Sequence, residues 1–343
     1  MAGRGARAPV PDDVPIADRI DDLPVPAEHD ALFGHVEQVR ALREAFAGRR
    51  PHHAWLLGGP KGIGKATVAF RIATQLLADG DLERTRSQIA AHAHPGLLHL
   101  SRPWDERAKR FRTQLSVEEV RRTRTFFGMT AAGSQRRVCI VDAADDMNPS
   151  SANALLKILE EPPEGAVFFV ISHAPGRLLP TIRSRCRTLN FQPLGEEDAS
   201  AAVKALVRDT EAKDVSGAVA MAGGSVRMAL RIMLGDVLDL VTRFDQVVTN
   251  AVTGRPSRAA AHDIADRATA RGADFDTFMD LALDRVAARL RDPSTPDPTL
   301  VRWAHLWERV HESRERAATF NLDRKQVVLD LFALLFEFPE AKS

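Results

Sequence analysis

The spacing of hydrophobic residues divides the chain into a part that mixes strands with helices and a part that is helical throughout. Four short apolar runs predict buried strands: residues 54–57, 138–142, 167–171 and, more weakly, 188–191. Between them, apolar residues recur at helical spacing, as Val68, Ile72 and Leu76 do. This alternation predicts a mostly parallel α/β sheet, whereas the charged stretch 80–114 is expected to hold little regular structure.

Four segments are predicted along the chain. Residues 1–28 contain five prolines and few large apolar residues, which is typical of a flexible segment. Residues 29–193 carry the strand and helix alternation of an α/β domain. Residues 194–237 form small alanine-rich helices, and residues 238–343 show helical spacing alone.

The composition limits the partners and the compartment. The chain has 343 residues with 47 Lys and Arg against 46 Asp and Glu, so its overall charge indicates neither a nucleic-acid nor a membrane partner. Its only cysteines, Cys139 and Cys186, exclude a disulfide framework and a four-cysteine zinc site. No apolar run reaches the roughly 18–20 residues of a membrane span, and the first residues lack the apolar core of a signal peptide. A soluble cytoplasmic protein without a membrane partner is expected.

The sequence GGPKGIGKAT, residues 58–67, joins the first predicted strand to a helix and contains the phosphate-loop pattern G-x-x-x-x-G-K. Glycines in such a loop, here Gly59, Gly62 and Gly64, let backbone N–H groups converge on phosphate oxygens. Lys65 would bridge the terminal phosphates. This pattern predicts a nucleotide site at the end of the first strand.

The residue after the loop lysine departs from the pattern of an active site. This position normally offers a hydroxyl to Mg²⁺, but here it holds Ala66. Thr67 does not obviously replace it, because one step along a helix rotates a side chain by about 100°. Ala66 and Thr67 are still assigned to the predicted nucleotide site, with weakened Mg²⁺ binding.

The segment SSANALLKILEEPPEGAVFFVISHAPGRLLPTIRSRCRTLNFQPL, residues 151–195, carries highly specific motifs. N-A-L-L-K-x-L-E-E-P-P leads to a strand, and L-L-P-T-I-x-S-R-C follows. With the altered phosphate loop, this segment resembles the clamp-loader branch of the AAA+ proteins, which includes subunits of bacterial DNA polymerase III. The resemblance covers about residues 32–235 well. It implies a P-loop AAA+ module with a parallel sheet, a small helical lid at 194–237 and an all-α collar that joins subunits.

The resemblance also bears on ATP hydrolysis. The strand 138–142 resembles the Walker-B strand, and Asp142 is placed to hold Mg²⁺ through water. Hydrolysing AAA+ proteins usually have a glutamate next, where this chain has Ala143. Asp145 and Asp146 follow the strand and have no obvious target. The hydroxyl missing at position 66 and the glutamate missing at position 143 together predict a subunit that does not hydrolyse ATP.

The Ser184-Arg185-Cys186 motif implies an arginine finger, Arg185, which points at the ATP of a neighbouring subunit and stabilises charge on its γ-phosphate. Without the resemblance, Arg185 and its neighbours would be interpreted as surface charges beside a strand. Ser172 falls near the sensor-1 position and Arg227 near the sensor-2 position. Both would contact phosphate in an active relative.

The partners implied by the resemblance are the motor ATPase subunits and a delta subunit in a pentameric ring, and, through the complex, the sliding clamp and primed DNA. Many relatives carry a four-cysteine zinc module before the Walker-B strand. This chain has no cysteine there, and His92, His94 and His99 do not make a tetrahedral set, so no zinc or other metal is predicted. The sequence leaves open whether the isolated subunit binds ATP or ADP.

Two alternatives are weighed against the non-hydrolysing subunit. A self-sufficient AAA+ ATPase, such as the motor subunit, would need a hydroxyl at position 66 and a glutamate near position 143. A P-loop kinase or nucleotide-transfer enzyme is disfavoured by the S-R-C motif and the helical C-terminal third.

Overall fold

The computed structural model of the chain describes residues 15–20, 22–29, 31–48, 51–128, 136–207, 212–234, 237–270, 275–291, 297–320 and 322–337. The chain divides into two compact units, Met1–Ala229 and Leu230–Ser343. The predicted division of the helical region at residue 237 into a lid and a collar stays a prediction.

A parallel sheet forms the centre of the first unit. The strands are, in chain order, β1 (Ala54–Gly58), β2 (Leu97–Leu100), β3 (Trp104–Asp105), β4 (Arg110–Phe111), β5 (Arg137–Val141), β6 (Ala166–Ser172) and β7 (Arg187–Asn190). Five of them pair in the order β2-β5-β6-β1-β7, and β3 and β4 form a separate antiparallel pair. Every residue of β1 and β6 is buried, because helices cover both faces of the sheet.

Helices precede, connect and follow the strands of the first unit. They are α1 (Val36–Ala47), α2 (Lys65–Leu77), α3 (Leu82–Ala90), α4 (Val117–Gly128), α5 (Pro149–Glu160), α6 (Pro180–Arg185), α7 (Glu196–Leu206) and α8 (Ala212–Met221), and α9 (Val226–Leu234) follows. Alternate strand residues enter two cores: Phe169 packs with the residues of α1 and α2, and Phe168 packs with those of α5. The predicted α/β architecture is confirmed.

The expectation of little structure in residues 80–114 is wrong. This stretch contains α3 and β2, and β2 pairs with β5 as an edge strand of the sheet. The strand forms because Leu97, Leu98 and Leu100 are buried, although His99 interrupts the apolar run. Four residues are too few to stand out from their charged surroundings in the sequence.

The described part of the segment predicted to be flexible, residues 15–20 and 22–29, includes buried side chains, and its flexibility stays a prediction. Val25 and Ala27 are 5% and 8% exposed and belong to the core on the α1 and α2 side of the sheet. Arg19 and Glu28 form an ion pair of 2.7 Å across the segment. Small apolar residues between prolines thus bury against the unit without forming a helix or strand.

The second unit is helical, as predicted. Its helices are α10 (Val237–Val252), α11 (Arg258–Ala268), α12 (Phe275–Arg291), α13 (Asp297–Phe320) and α14 (Arg324–Phe336). Phe244, Phe278 and Phe332 are at its centre, together with Trp303 from α13. None of the described helices is both long and apolar enough to cross a bilayer.

Phe168→Ala tests the core of the first unit. Phe168 is fully buried in β6, so we expect its truncation to lower the free energy of unfolding by about 3–5 kcal/mol. Val36→Ala is the control, since Val36 is 71% exposed, and should change it by less than about 0.5 kcal/mol. Urea denaturation followed by circular dichroism measures both, and equal stability of the two variants would contradict the packing.

Candidate phosphate-binding site

The phosphate loop lies between β1, the strand next to the edge strand β7, and the start of α2. Gly59, Gly62 and Gly64 have φ values of 149°, 79° and 102°, in the region that side-chain-bearing residues rarely adopt. A Cβ atom at Gly59 would lie 2.3 Å from the carbonyl oxygen of Phe191, and one at Gly62 would lie 2.4 Å from the hydroxyl of Ser225. The loop therefore requires glycine at positions 59 and 62 for both its conformation and its packing, and at position 64 for its conformation.

The side chain of Lys65 binds the backbone of the phosphate loop itself. This side chain is buried, and its ammonium donates to the carbonyl oxygens of Gly59 at 2.6 Å and Pro60 at 2.5 Å. Burial lowers the pKa of Lys65 to about 8, although the charges of Asp142 and Asp145 oppose this shift. The lysine is thus satisfied by backbone oxygens, and a phosphate would have to draw it away from them.

Asp145 has a definite target, contrary to the sequence interpretation. Its carboxylate accepts hydrogen bonds from the hydroxyl of Ser172 at 3.0 Å and from the backbone N–H groups of His173 at 2.7 Å and Ala174 at 3.0 Å. Asp145 therefore holds the end of β6 in place beside the loop. The sequence does not indicate this role, because Asp145 and its partners are separated by about thirty residues along the chain.

Ser172 and Asp142 are brought to the same edge of the sheet as Lys65. Ser172 is fully buried and ends β6, and its hydroxyl hydrogen-bonds Asp145. Asp142 directly follows β5, and its charge acts on the ammonium of Lys65. The predicted contact of Ser172 with phosphate stays a prediction, as does that of Asp142 with Mg²⁺.

His173 is a residue of this edge that sequence reasoning missed. Its Nδ1 atom is buried and has no hydrogen-bond partner within the described part of the chain. Burial, and then the charge of Lys65, lower the pKa of His173 to about 4. A neutral imidazole therefore lies beside the loop lysine, and its position directly after Ser172 was the available signal.

The start of α9 docks on the phosphate loop and brings Arg227 to it. The backbone N–H of Arg227 donates to the carbonyl of Gly62 at 3.2 Å, and the hydroxyl of Ser225 donates to the carbonyl of Lys61 at 3.0 Å. The guanidinium of Arg227 binds Asp18, at the carbonyl oxygen and, at 3.2 Å, at the carboxylate. Arg227 thus lies at the predicted site, with a protein carboxylate as its partner.

The site fits phosphate better than it fits a metal. The glycine conformations and the start of α2 suit an anion. Ala66 instead places a methyl against the apolar core, and Ala143 is buried. Among the described residues, no three His, Cys, Asp or Glu side chains are grouped to hold a metal ion, and the absence of zinc stays a prediction.

Arg185 lies in a different cluster. It is the last residue of α6, and its guanidinium pairs with Glu160, the last residue of α5, at 2.7 Å. It also donates to the carbonyl of Thr181 at 3.0 Å. The side chain is 33% exposed, so its contacts within the chain leave a third of its surface open.

A glycine loop between a buried strand and a helix, in a parallel sheet followed by helices, is the arrangement of a P-loop module. Residues 34–195 match the family model described as DNA polymerase III, delta subunit. The predicted resemblance to subunits of DNA polymerase III is confirmed for this part of the chain.

Individual relatives agree with the family match. The chain is 38% identical to DNA polymerase III subunit delta' of Pseudomonas aeruginosa over 205 residues, which are 56% of this chain and 60% of the relative. It is 38% identical to the subunit delta' of Bacillus subtilis over 162 residues, 46% and 47% of the two chains. It is also 30% identical to DNA polymerase III subunit gamma of a Buchnera aphidicola strain over 217 residues, 61% and 58%. The chain thus spans about half the length of the curated relatives it matches.

Lys65→Met tests the environment of the loop lysine through pH. The pKa of Lys65 falls from 10.5 in the unfolded chain to about 8 in the folded one. Between these values the unfolded chain holds the proton and the folded chain does not, so raising the pH from 8 to 10.5 stabilises the wild type through this residue. We expect its unfolding free energy to rise relative to Lys65→Met by up to about 3 kcal/mol across the window.

Urea denaturation at several pH values measures this difference. Lys61→Met is the control, because it removes an exposed cation from the same loop. A difference between wild type and Lys65→Met that stays constant with pH would contradict the buried position of the ammonium.

Proposed function

We propose that this chain is a clamp-loader subunit of the delta prime type, which acts in DNA replication without hydrolysing ATP itself. The observation that carries the proposal is the combination of an intact phosphate loop with Ala66 and Ala143 at the two positions where hydrolysis needs polar groups. Each of these two positions carries only the methyl group of an alanine, and Ala143 is buried. The loop is suited to holding phosphates but not to positioning Mg²⁺ and an attacking water.

The polar groups that remain at the site support this view. Phosphoryl transfer to water depends on a metal ion that neutralises charge and on a group that orients the nucleophile. The hydroxyl that would reach Mg²⁺ is missing, and Asp145, the first carboxylate after position 143, accepts hydrogen bonds from the backbone at the end of β6. When ATP or ADP is bound, the loop glycines and Lys65 would hold its phosphates.

Arg185 is proposed to act in trans. A guanidinium at the end of α6, one third exposed and bound to a single carboxylate, can exchange Glu160 for a phosphate of a neighbouring subunit. There it would stabilise the charge that develops on the γ-phosphate. The partners proposed are the motor subunits and the delta subunit of a pentameric, cytoplasmic complex, and through it the sliding clamp and primed DNA.

A motor subunit is the second candidate function, and the 30% identity to a gamma subunit favours it. The two alanines oppose it, because each removes a different catalytic group. The two candidates differ in one measurable property, the ATPase activity of the isolated chain.

The isolated full-length chain is expected to hydrolyse ATP at no more than a background rate, because neither Mg²⁺ nor water is positioned. Release of phosphate is measured with and without primed DNA. Lys65→Ala should leave this background rate unchanged. Rapid turnover that Lys65→Ala abolishes would favour the motor subunit.

Arg185→Ala is expected to leave folding and ring assembly intact and to lower the DNA-stimulated ATPase of the reconstituted complex. A trans-acting arginine finger contributes about a thousandfold or more at the site that it serves, so the share of turnover from that site should be lost. Arg183→Ala is the matched control, since Arg183 lies exposed in the same helix turn. An ATPase rate unchanged by Arg185→Ala would contradict the proposed finger.

A further inference from the structure

The carboxylate of Asp18 lies at the meeting point of three cations. The same oxygen of Asp18 is 3.2 Å from Arg227, 3.3 Å from Arg102 and 3.8 Å from Lys61. A further nitrogen of Arg227 donates to the backbone carbonyl of Asp18. Asp18 itself has a φ of 64°, a conformation that residues other than glycine rarely adopt, so the backbone turns sharply where the carboxylate enters the cluster.

Two of these cations belong to the candidate nucleotide site. Lys61 is part of the phosphate loop, and Arg227 is tied to the loop through its backbone bond to Gly62. A carboxylate and a phosphate oxygen make the same charge-assisted contacts with lysine and arginine. Asp18 therefore occupies the guanidinium of Arg227, which was predicted to contact phosphate, and places a negative charge beside Lys61 of the loop.

The segment that carries Asp18 is anchored on both sides of it. Ile16 packs against the core that also receives Ala66, and Val25 and Ala27 are buried in the same core. The ion pair between Arg19 and Glu28 closes the segment on itself. These contacts hold Asp18 close to the loop, which gives its carboxylate a high local concentration there.

The ammonium of Lys65, like the guanidinium of Arg227, is bound by oxygens of the protein. Lys65 donates to the carbonyls of Gly59 and Pro60, so its ammonium is also occupied by protein oxygens. Asp18 nevertheless remains 42% exposed and Arg227 19% exposed. The contact is thus an exchangeable surface ion cluster and not part of the buried core.

We propose that residues 15–20, the Asp18 segment, act as an internal competitor of nucleotide: Asp18 occupies the cations of the phosphate loop, and binding of a nucleotide polyphosphate displaces it. The fraction of molecules with Asp18 released then sets the apparent affinity. The inference concerns the phosphate loop alone and holds whether or not the chain acts in a clamp loader.

Asp18→Asn in the full-length chain tests the competition, because it removes the charge and keeps the size of the side chain. Titration with fluorescent ADP is expected to show a dissociation constant at least about 10-fold lower than that of the wild type. Asp22→Asn is the matched control, since it removes an exposed carboxylate from the same part of the chain and should leave the affinity unchanged. Binding by Asp18→Asn that is no tighter than that of the wild type, in a variant that melts as the wild type does, would overturn the proposal.

A second readout needs no variant. Displacement of Asp18 should loosen its segment, so ADP and inorganic tripolyphosphate are each expected to accelerate trypsin cleavage after Arg19 in the wild type. The same rate of cleavage with and without saturating polyphosphate would contradict displacement. Acceleration by the polyphosphate, with none from an equal ionic strength of sodium chloride, would support it.

Discussion

The phosphate loop depends on backbone contacts that are closer than any side chain would permit. Gly59 lies against the carbonyl of Phe191, at the end of the edge strand, and Gly62 lies against Ser225, before α9. Two elements far apart in the chain therefore meet on one loop of a few residues. These close approaches fix the loop that ends at Lys65, and they bring Arg227 within hydrogen-bond distance of Gly62. The positions of both cations therefore depend on the two glycines.

Within this frame, the groups that an ATPase would present to its nucleotide are each satisfied by the protein. Lys65 binds loop carbonyls, Asp145 binds the end of β6, and Arg227 binds Asp18. Unpaired charges near an apolar core are costly. Pairing them within the chain therefore stabilises the fold when no nucleotide is bound.

The parts of the fold that the sequence predicted are those that depend on local pattern. Continuous apolar runs identified β1, β5 and β6, and the glycine spacing identified the loop, because burial on both faces and positive φ leave traces in neighbouring residues. Polar contacts leave no such trace. The bond between Arg227 and Asp18 joins residues 209 positions apart, and the role of Asp145 depends on the place of β6 in the sheet. Both contacts can be identified only from the three-dimensional arrangement of the elements.

The ion pairs of Arg185 and Arg227 with carboxylates of the same chain resemble the contacts that each arginine would make with a phosphate group. A carboxylate offers one negative charge to its cations, whereas a polyphosphate offers several charges and more acceptor oxygens. In the two proposals, Glu160 on Arg185 and Asp18 on Arg227 are the ligands that a phosphate would replace, and both arginines are partly exposed, as such an exchange requires. Burying these pairs completely would fix them, because a cation deprived of both water and its partner is strongly disfavoured. Partial exposure is thus the property on which exchange at either cluster depends.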